Sequence, residues 1–122
     1  PAHFGSANVQ NMRTRNATME RMASTEKQTQ AAIGQYLSFR KCLFGRQNSG
    51  AFKDSKGHFY RFSSLAGLPD IFCLKDSVMY AIEVKDIKGV LNENQMSFRK
   101  LFEKNGGVYV VAKSVEDVSR LI

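Results

Sequence analysis

Two β-rich runs separated by three turn-forming residues dominate the middle of this chain. The first is Ile71-Phe72-Cys73-Leu74 and the second runs from Val78 to Lys85, with Lys75-Asp76-Ser77 between them. β-branched and aromatic residues bounded by polar turn residues predict a hairpin. One end of it is chemically loaded. Pro69-Asp70 leads into the first strand, and Glu83-Val84-Lys85 closes the second after twelve intervening residues. Side chains alternate along a strand, so Glu83 and Lys85 share a face with Met79 and Ala81. In a hairpin the start of one strand lies beside the end of the other, which brings Asp70 to Glu83 and Lys85. Two carboxylates placed there repel each other and resist desolvation unless a cation lies between them. Oxygen donors of this kind suit Mg²⁺ or Mn²⁺. Ordinary surface salt pairing is the default for any one of the three, but it explains poorly why Glu83 and Lys85 share a face at the end of an apolar strand.

The flanks supply helices. Thr25-x-x-Gln28 before an apolar-periodic stretch is a capping-box signature. It predicts a helix to about Phe44, ended by Gly45, with Ile33, Tyr36, Leu37, Arg40 and Phe44 as its inward stripe. Glu26, seven residues before Ile33, either continues that stripe or simply complements the helix dipole in the first turn. Arg46 to Lys53 and His58 to Phe62 flank Asp54-Ser55-Lys56-Gly57 and predict a hairpin ahead of the acidic one. Its basic residues interleave with Phe52, Phe59 and Tyr60, which suits either a nucleic-acid-facing surface or a solvated face over core aromatics. His58, beside a turn, reads as a surface residue. After the charged loop Asp86-Ile87-Lys88-Gly89, Asn92-x-x-Gln95 opens a helix through about Lys104. Leu91, Gln95, Phe98 and Phe102 fall on one face of it. Gln95 is then either the back-bonding half of a capping box or a neutral amide beside the acidic pair. Asn105-Gly106-Gly107 stops the helix, Val108 to Ala112 is a strand, and Ser114-x-x-Asp117 starts a short helix with Val115, Val118 and Leu121 inward. The order α-β-β-β-β-α-β-α predicts an α/β fold, a mixed sheet flanked by helices.

Length suits one domain with one hydrophobic core, at 122 residues and 43% hydrophobic content. No apolar run is long enough to span a bilayer as a helix. Cys42 and Cys73 fall inside predicted elements and read as buried thiols in a reducing compartment. The net charge of +7 favours a polyanionic partner held by salt-sensitive contacts. Residues 1–22 show no sustained apolar period and no signal-peptide core. They read as a leader, or as a basic arm through Arg13, Arg15 and Arg21, with the domain at 23–122 and Met22 as a candidate start.

The Gly-Leu-Pro-Asp lead-in at 67–70, the Glu83-x-Lys85 strand end, Glu26 on the opening helix, Gln95 on the helix after Glu-x-Lys and the Gly106-Gly107 turn into a final strand together resemble the PD-(D/E)xK nuclease superfamily, and within it the VRR-NUC type. The resemblance runs from about Ser24 to Ile122. It implies a restriction-endonuclease-like fold and a metal-dependent deoxyribonuclease acting on branched or flapped DNA; small free-standing members resolve four-way (Holliday) junctions. On that reading Asp70, Glu83 and the Val84 backbone carbonyl hold Mg²⁺ or Mn²⁺, and Glu26 joins directly, through a water or at a second ion. Lys85 orients the attacking water, offsets developing phosphate charge or acts as base, and Gln95 holds the lysine or a phosphate. Arg46, Lys53, Lys56, Arg61, Lys88 and Arg99 are candidate nucleic-acid contacts. The implied working form is a homodimer in the cytoplasm of a bacterium or a virus-infected host cell, neither secreted nor in a membrane. A monomeric flap or nicking nuclease and a non-catalytic basic DNA-binding module are the competing expectations.

Overall fold

The computed structural model describes residues 25–47, 51–61 and 65–122, with backbone only at 51–53 and 59–61. The leader at 1–22 and part of the first predicted hairpin, at 48–50, lie outside the described residues. A helix, α1, covers 25–39. It is followed by β1 (Leu43–Arg46), β2 (Ala51–Lys53), β3 (Phe59–Arg61), β4 (Ile71–Lys75), β5 (Val78–Val84), α2 (Glu93–Lys104), β6 (Val108–Ala112) and α3 (Val115–Ser119). The main sheet has the order β1-β4-β5-β6. β1, β4 and β5 are antiparallel to one another, and β6 runs parallel to β5. Parallel pairing needs a crossover, and α2 provides it. β2 and β3 form a separate antiparallel pair.

Alternation along the strands creates two faces. On one, Ile71, Cys73, Ile82, Val84, Val110 and Ala112 meet Ile33 and Leu37 of α1, together with Val118 and Ile122. Fully burying an aliphatic side chain is worth about 1.5–3 kcal/mol, so this face is the main hydrophobic core. Cys73 lies inside it and Cys42 at its margin, both as free thiols. Burial, reinforced by Cys42, pushes the Cys73 thiol up to about 12 and keeps it protonated. On the other face Phe72 and Tyr109 lie under α2, with Phe72 6.1 Å from the rings of both Phe98 and Phe102 and Tyr109 6.3 Å from Phe98. Asp70 and Glu83 belong to this second face, past the end of the aromatic cluster.

Several expectations are corrected in detail. α1 ends at 39, not near Phe44, because Lys41 adopts a left-handed conformation (φ 57°). Its N–H bonds to Ser38 O and that of Cys42 to Leu37 O, a Schellman closure without glycine. The four residues after it become β1, a fifth strand before α2, and Arg46 belongs to that strand and not to the β2–β3 hairpin. Thr25 is itself helical. Lys75 pairs with Val78, so the β4–β5 turn has two central residues, Asp76 (φ 49°) and Ser77 (φ 68°). Positive φ at both is the type I′ signature that matches strand twist. Leu121 is 51% exposed; after α3 stops, Ile122 takes the inward place instead.

Candidate active site

The β4–β5 ladder ends at the Ile71–Ile82 pair. One step further the two carboxylates take over the hydrogen bonding that main chain would otherwise supply. Asp70 Oδ2 accepts the Val84 N–H at 2.8 Å, and Glu83 Oε2 accepts the Asp70 N–H at 3.2 Å. Each acid is thereby fixed by the strand that carries the other. Glu83 is 5% exposed. Its second oxygen, Oε1, accepts from Gln95 Nε2 at 2.8 Å and lies 3.7 Å from Lys85 Nζ.

Gln95 closes the capping box, and its amide lies beside the acidic pair, but it holds Glu83 and not the lysine. Asn92 caps α2 through its side chain, which accepts from the Gln95 N–H, while Gln95 Oε1 accepts from the Asn92 N–H. The Nε2 end of the same amide remains free to reach Glu83. The N-terminus of α2 is therefore tied directly to the acidic pair. Gly67 makes the approach possible: it sits at φ 78°, and a Cβ there would collide with the Asn94 backbone. The turn it makes carries the buried Pro69 and then Asp70 to the end of the sheet.

Burial sets the electrostatics. It raises Asp70 above the usual carboxylate range; the Val84 N–H and Lys85 oppose the shift, Glu26 adds to it and Arg46 opposes it. Burial, and then Asp70, push Glu83 up to about 7 against the pull of Lys85. The two interact strongly enough that the shifts belong to the pair as a unit. Burial is the largest cause in both, and each shift runs upward.

Glu26 does not close this pair into a three-acid cluster: its Oε1 accepts the Asp86 N–H at 3.1 Å. Among the described residues no three His, Cys, Asp or Glu side chains gather round one point. The donor set is thus two carboxylates and whatever main-chain carbonyl lies beside them. No described residue bonds Asp70 Oδ1, and a carboxylate offers about four lone-pair sites. Hard oxygen donors, open lone pairs and two acids that destabilise each other's charge fit a divalent cation that retains several waters, as Mg²⁺ does.

The candidate phosphate contacts differ. Arg46 is exposed and bears on Asp70. Lys56 and Lys88 are exposed, in turns whose amides are held by Asp54 and Asp86. Arg99 is already engaged, bonded to Glu103 at 2.8 Å and lying 5.3 Å over the Tyr109 ring. Of Lys53 and Arg61 only the backbone is described. His58 is a surface residue, its side chain 68% exposed and 3.5 Å from Asp54. A groove of about 390 Å³ lined by Leu65, Phe98 and Leu101 has no titratable side chain and is not where chemistry is placed. Two neighbours of the site were not legible in the sequence. Asp86 offers its amide to Glu26, and Tyr109 shares the Glu83 face only through the non-local β5–β6 register.

No protein-family model matches the chain, and no curated protein matches it. Among solved structures, one described as a VRR_NUC domain aligns with a TM-score of 0.59 and 20% identity, covering 80% of this chain and 92% of that one. The mixed sheet with helices on both faces therefore has the fold of a VRR_NUC domain, a restriction-endonuclease-like α/β architecture.

Proposed function

We propose that this chain is a divalent-cation-dependent, structure-specific DNA endonuclease that hydrolyses phosphodiester bonds, with four-way junctions as substrate and a two-fold homodimer as the working form. The observation that carries the reading is the reciprocal pairing of Asp70 with Glu83, with Lys85 and Gln95 on the same carboxylate. Asp70, Glu83 and the Val84 carbonyl would hold Mg²⁺ or Mn²⁺. When bound, the ion would polarise the scissile phosphate and offset its charge. Gln95 fixes the rotamer of Glu83. Lys85 presents an ammonium from the same strand end, placed to orient the attacking water and to counter negative charge as it grows on the phosphate. Glu26 anchors the Asp86 amide and so the loop after Lys85, and a water between Glu26 and the ion is a further role for it. Arg46, Lys56 and Lys88, with Lys53 and Arg61, would track the DNA backbone, which fits the +7 charge; Arg99 contributes less because Glu103 and Tyr109 already hold it.

The test is a Mg²⁺- and Mn²⁺-dependent cleavage panel of duplex, flap, splayed and four-way DNA with the wild type and Glu83→Gln. Paired cuts in the four-way substrate, lost by about a hundredfold or more in the variant, support the reading. Cuts confined to flaps move it to a flap or nicking nuclease. DNA binding with no cleavage under either ion reduces it to a non-catalytic module.

A further inference from the structure

Tyr109 lies beside Ala81 in the β5–β6 register, two residue pairs before Glu83 and its partner Val111, and so on the Glu83 face. It is only 6% exposed. Its ring is closed in by Phe98 and by the Arg99 guanidinium. Its hydroxyl is fully buried, and no described residue offers it a hydrogen bond. Buried hydroxyls are very generally satisfied, and one left alone costs on the order of 1–3 kcal/mol. A phenylalanine at this position would keep the aromatic cluster of Phe72, Phe98 and Phe102 without that cost, so packing does not account for the hydroxyl. The groups nearest in kind are those of the acidic site. Gln95, which grips Glu83, lies one helical turn before the Phe98–Arg99 pair that covers Tyr109. Besides burial, it is the Glu83 carboxylate that most raises the tyrosine, with a smaller push from Asp70.

We propose that Tyr109 is a positioning residue of the acidic site, its hydroxyl donating to a buried water held against Glu83 and thereby fixing that carboxylate to receive a divalent cation. The inference rests on the cation-binding reading of the site. Glu83 would then be held from three sides: by Gln95 from α2, by the Asp70 amide just ahead of β4, and by Tyr109 from β6 through water. A buried site that is polar and adjoins a carboxylate gives such a water the two or more partners it needs. Groups that orient a ligand without touching the metal typically change affinity by 10–100-fold when removed; acting through a water, Tyr109 belongs at the lower end of that range.

The test is Mn²⁺ binding to the full chain by electron paramagnetic resonance, without DNA, for wild type, Tyr109→Phe and Phe98→Leu, alongside cation-free thermal melts. Phe98→Leu loosens the same aromatic packing but removes no hydroxyl. The proposal expects Tyr109→Phe to weaken Mn²⁺ by about tenfold, clearly more than Phe98→Leu does. Unchanged Mn²⁺ affinity in Tyr109→Phe, most tellingly with a raised melting temperature, overturns it, because the hydroxyl is then an unpaired group whose removal is a gain. Equal losses in the two variants also overturn it, since packing alone would then explain them. A wild type that binds no Mn²⁺ removes the cation reading itself, and this inference falls with it; binding by the wild type that Tyr109→Phe matches removes only the inference.

Discussion

Just below neutral pH the cation-free fold holds on Glu83 much of a proton that the unfolded chain has already released, because burial and Asp70 move it from its ordinary 4.5 up to about 7. The folded state therefore binds more protons than the unfolded state between those values, and stability falls as pH rises through that window. The contribution is fully present below the ordinary value and is lost above the raised one; Asp70, also raised, adds in the same direction. At about 1.4 kcal/mol per unit the shift amounts to about 3.5 kcal/mol, and partial solvent screening brings the loss to on the order of 2–3 kcal/mol. In chelator, wild type should melt lower at about pH 8 than at about pH 5, by roughly 5–15 °C once the same difference in Glu83→Gln is subtracted. Glu83→Gln should itself melt above wild type at the higher pH. Added Mg²⁺ should raise the wild-type melt most at alkaline pH, where the pair is ionised, and leave Glu83→Gln nearly unmoved. Parallel pH slopes in the two proteins would show that burial does not control this acid.

At the scale of elements, two helix ends of one kind show what the sequence could reveal. α2 closes with Gly107 N–H on Phe102 O and Gly106 N–H on Glu103 O, with Gly106 at φ 92°. α1 closes with the same pair of bonds but with Lys41 in the left-handed place. Glycine announces the first closure and nothing announces the second, so the apolar period carries the expected helix on into β1 and hides that strand. Local chemistry made α2, its Asn92–Gln95 box, β6 and the acidic hairpin legible, because propensity, period and caps agree there. The partner of β1 is β4, 28 or so residues away, and no local rule carries that. Lys41→Gly should therefore stabilise the chain by about 0.5–1 kcal/mol by relieving left-handed strain. Gly67→Ala should destabilise it by about 1–3 kcal/mol. It should also cost cation affinity, since the Asn94 backbone blocks a Cβ and either Asp70 or α2 must shift. Denaturant melts with Mn²⁺ titration check both; a Gly67→Ala protein with wild-type stability and affinity would mean the turn tolerates rearrangement without moving Asp70.

At the scale of the whole molecule, charge and copy number set what the fold can do to DNA. An excess of seven positive charges on 122 residues releases counterions when it meets a polyanion. With about six phosphates contacted, affinity should fall about a thousandfold between 50 and 200 mM salt. A flat response would remove the backbone-tracking surface from the proposal. On the proposed junction-cutting function, copy number follows from the site. Each chain has one Asp70–Glu83 pair, whereas a four-way junction is close to two-fold symmetric and is resolved by cuts in two opposed strands. Two sites in fixed relation come most simply from a two-fold dimer, the commonest form of oligomer. A single chain could cut both strands only by releasing and rebinding, which leaves nicked junctions as an intermediate. Light scattering at micromolar concentration should therefore give twice the chain mass. A cruciform plasmid should go from supercoiled directly to linear, with little nicked circle on the way. Mixing wild type with an excess of Glu83→Gln should then convert linear product to nicked circle, because each mixed dimer has one working site. A monomer by scattering, with linear product simply diluted by the inactive chain, would reassign the protein to cutting one strand per encounter, as a flap or nicking nuclease does.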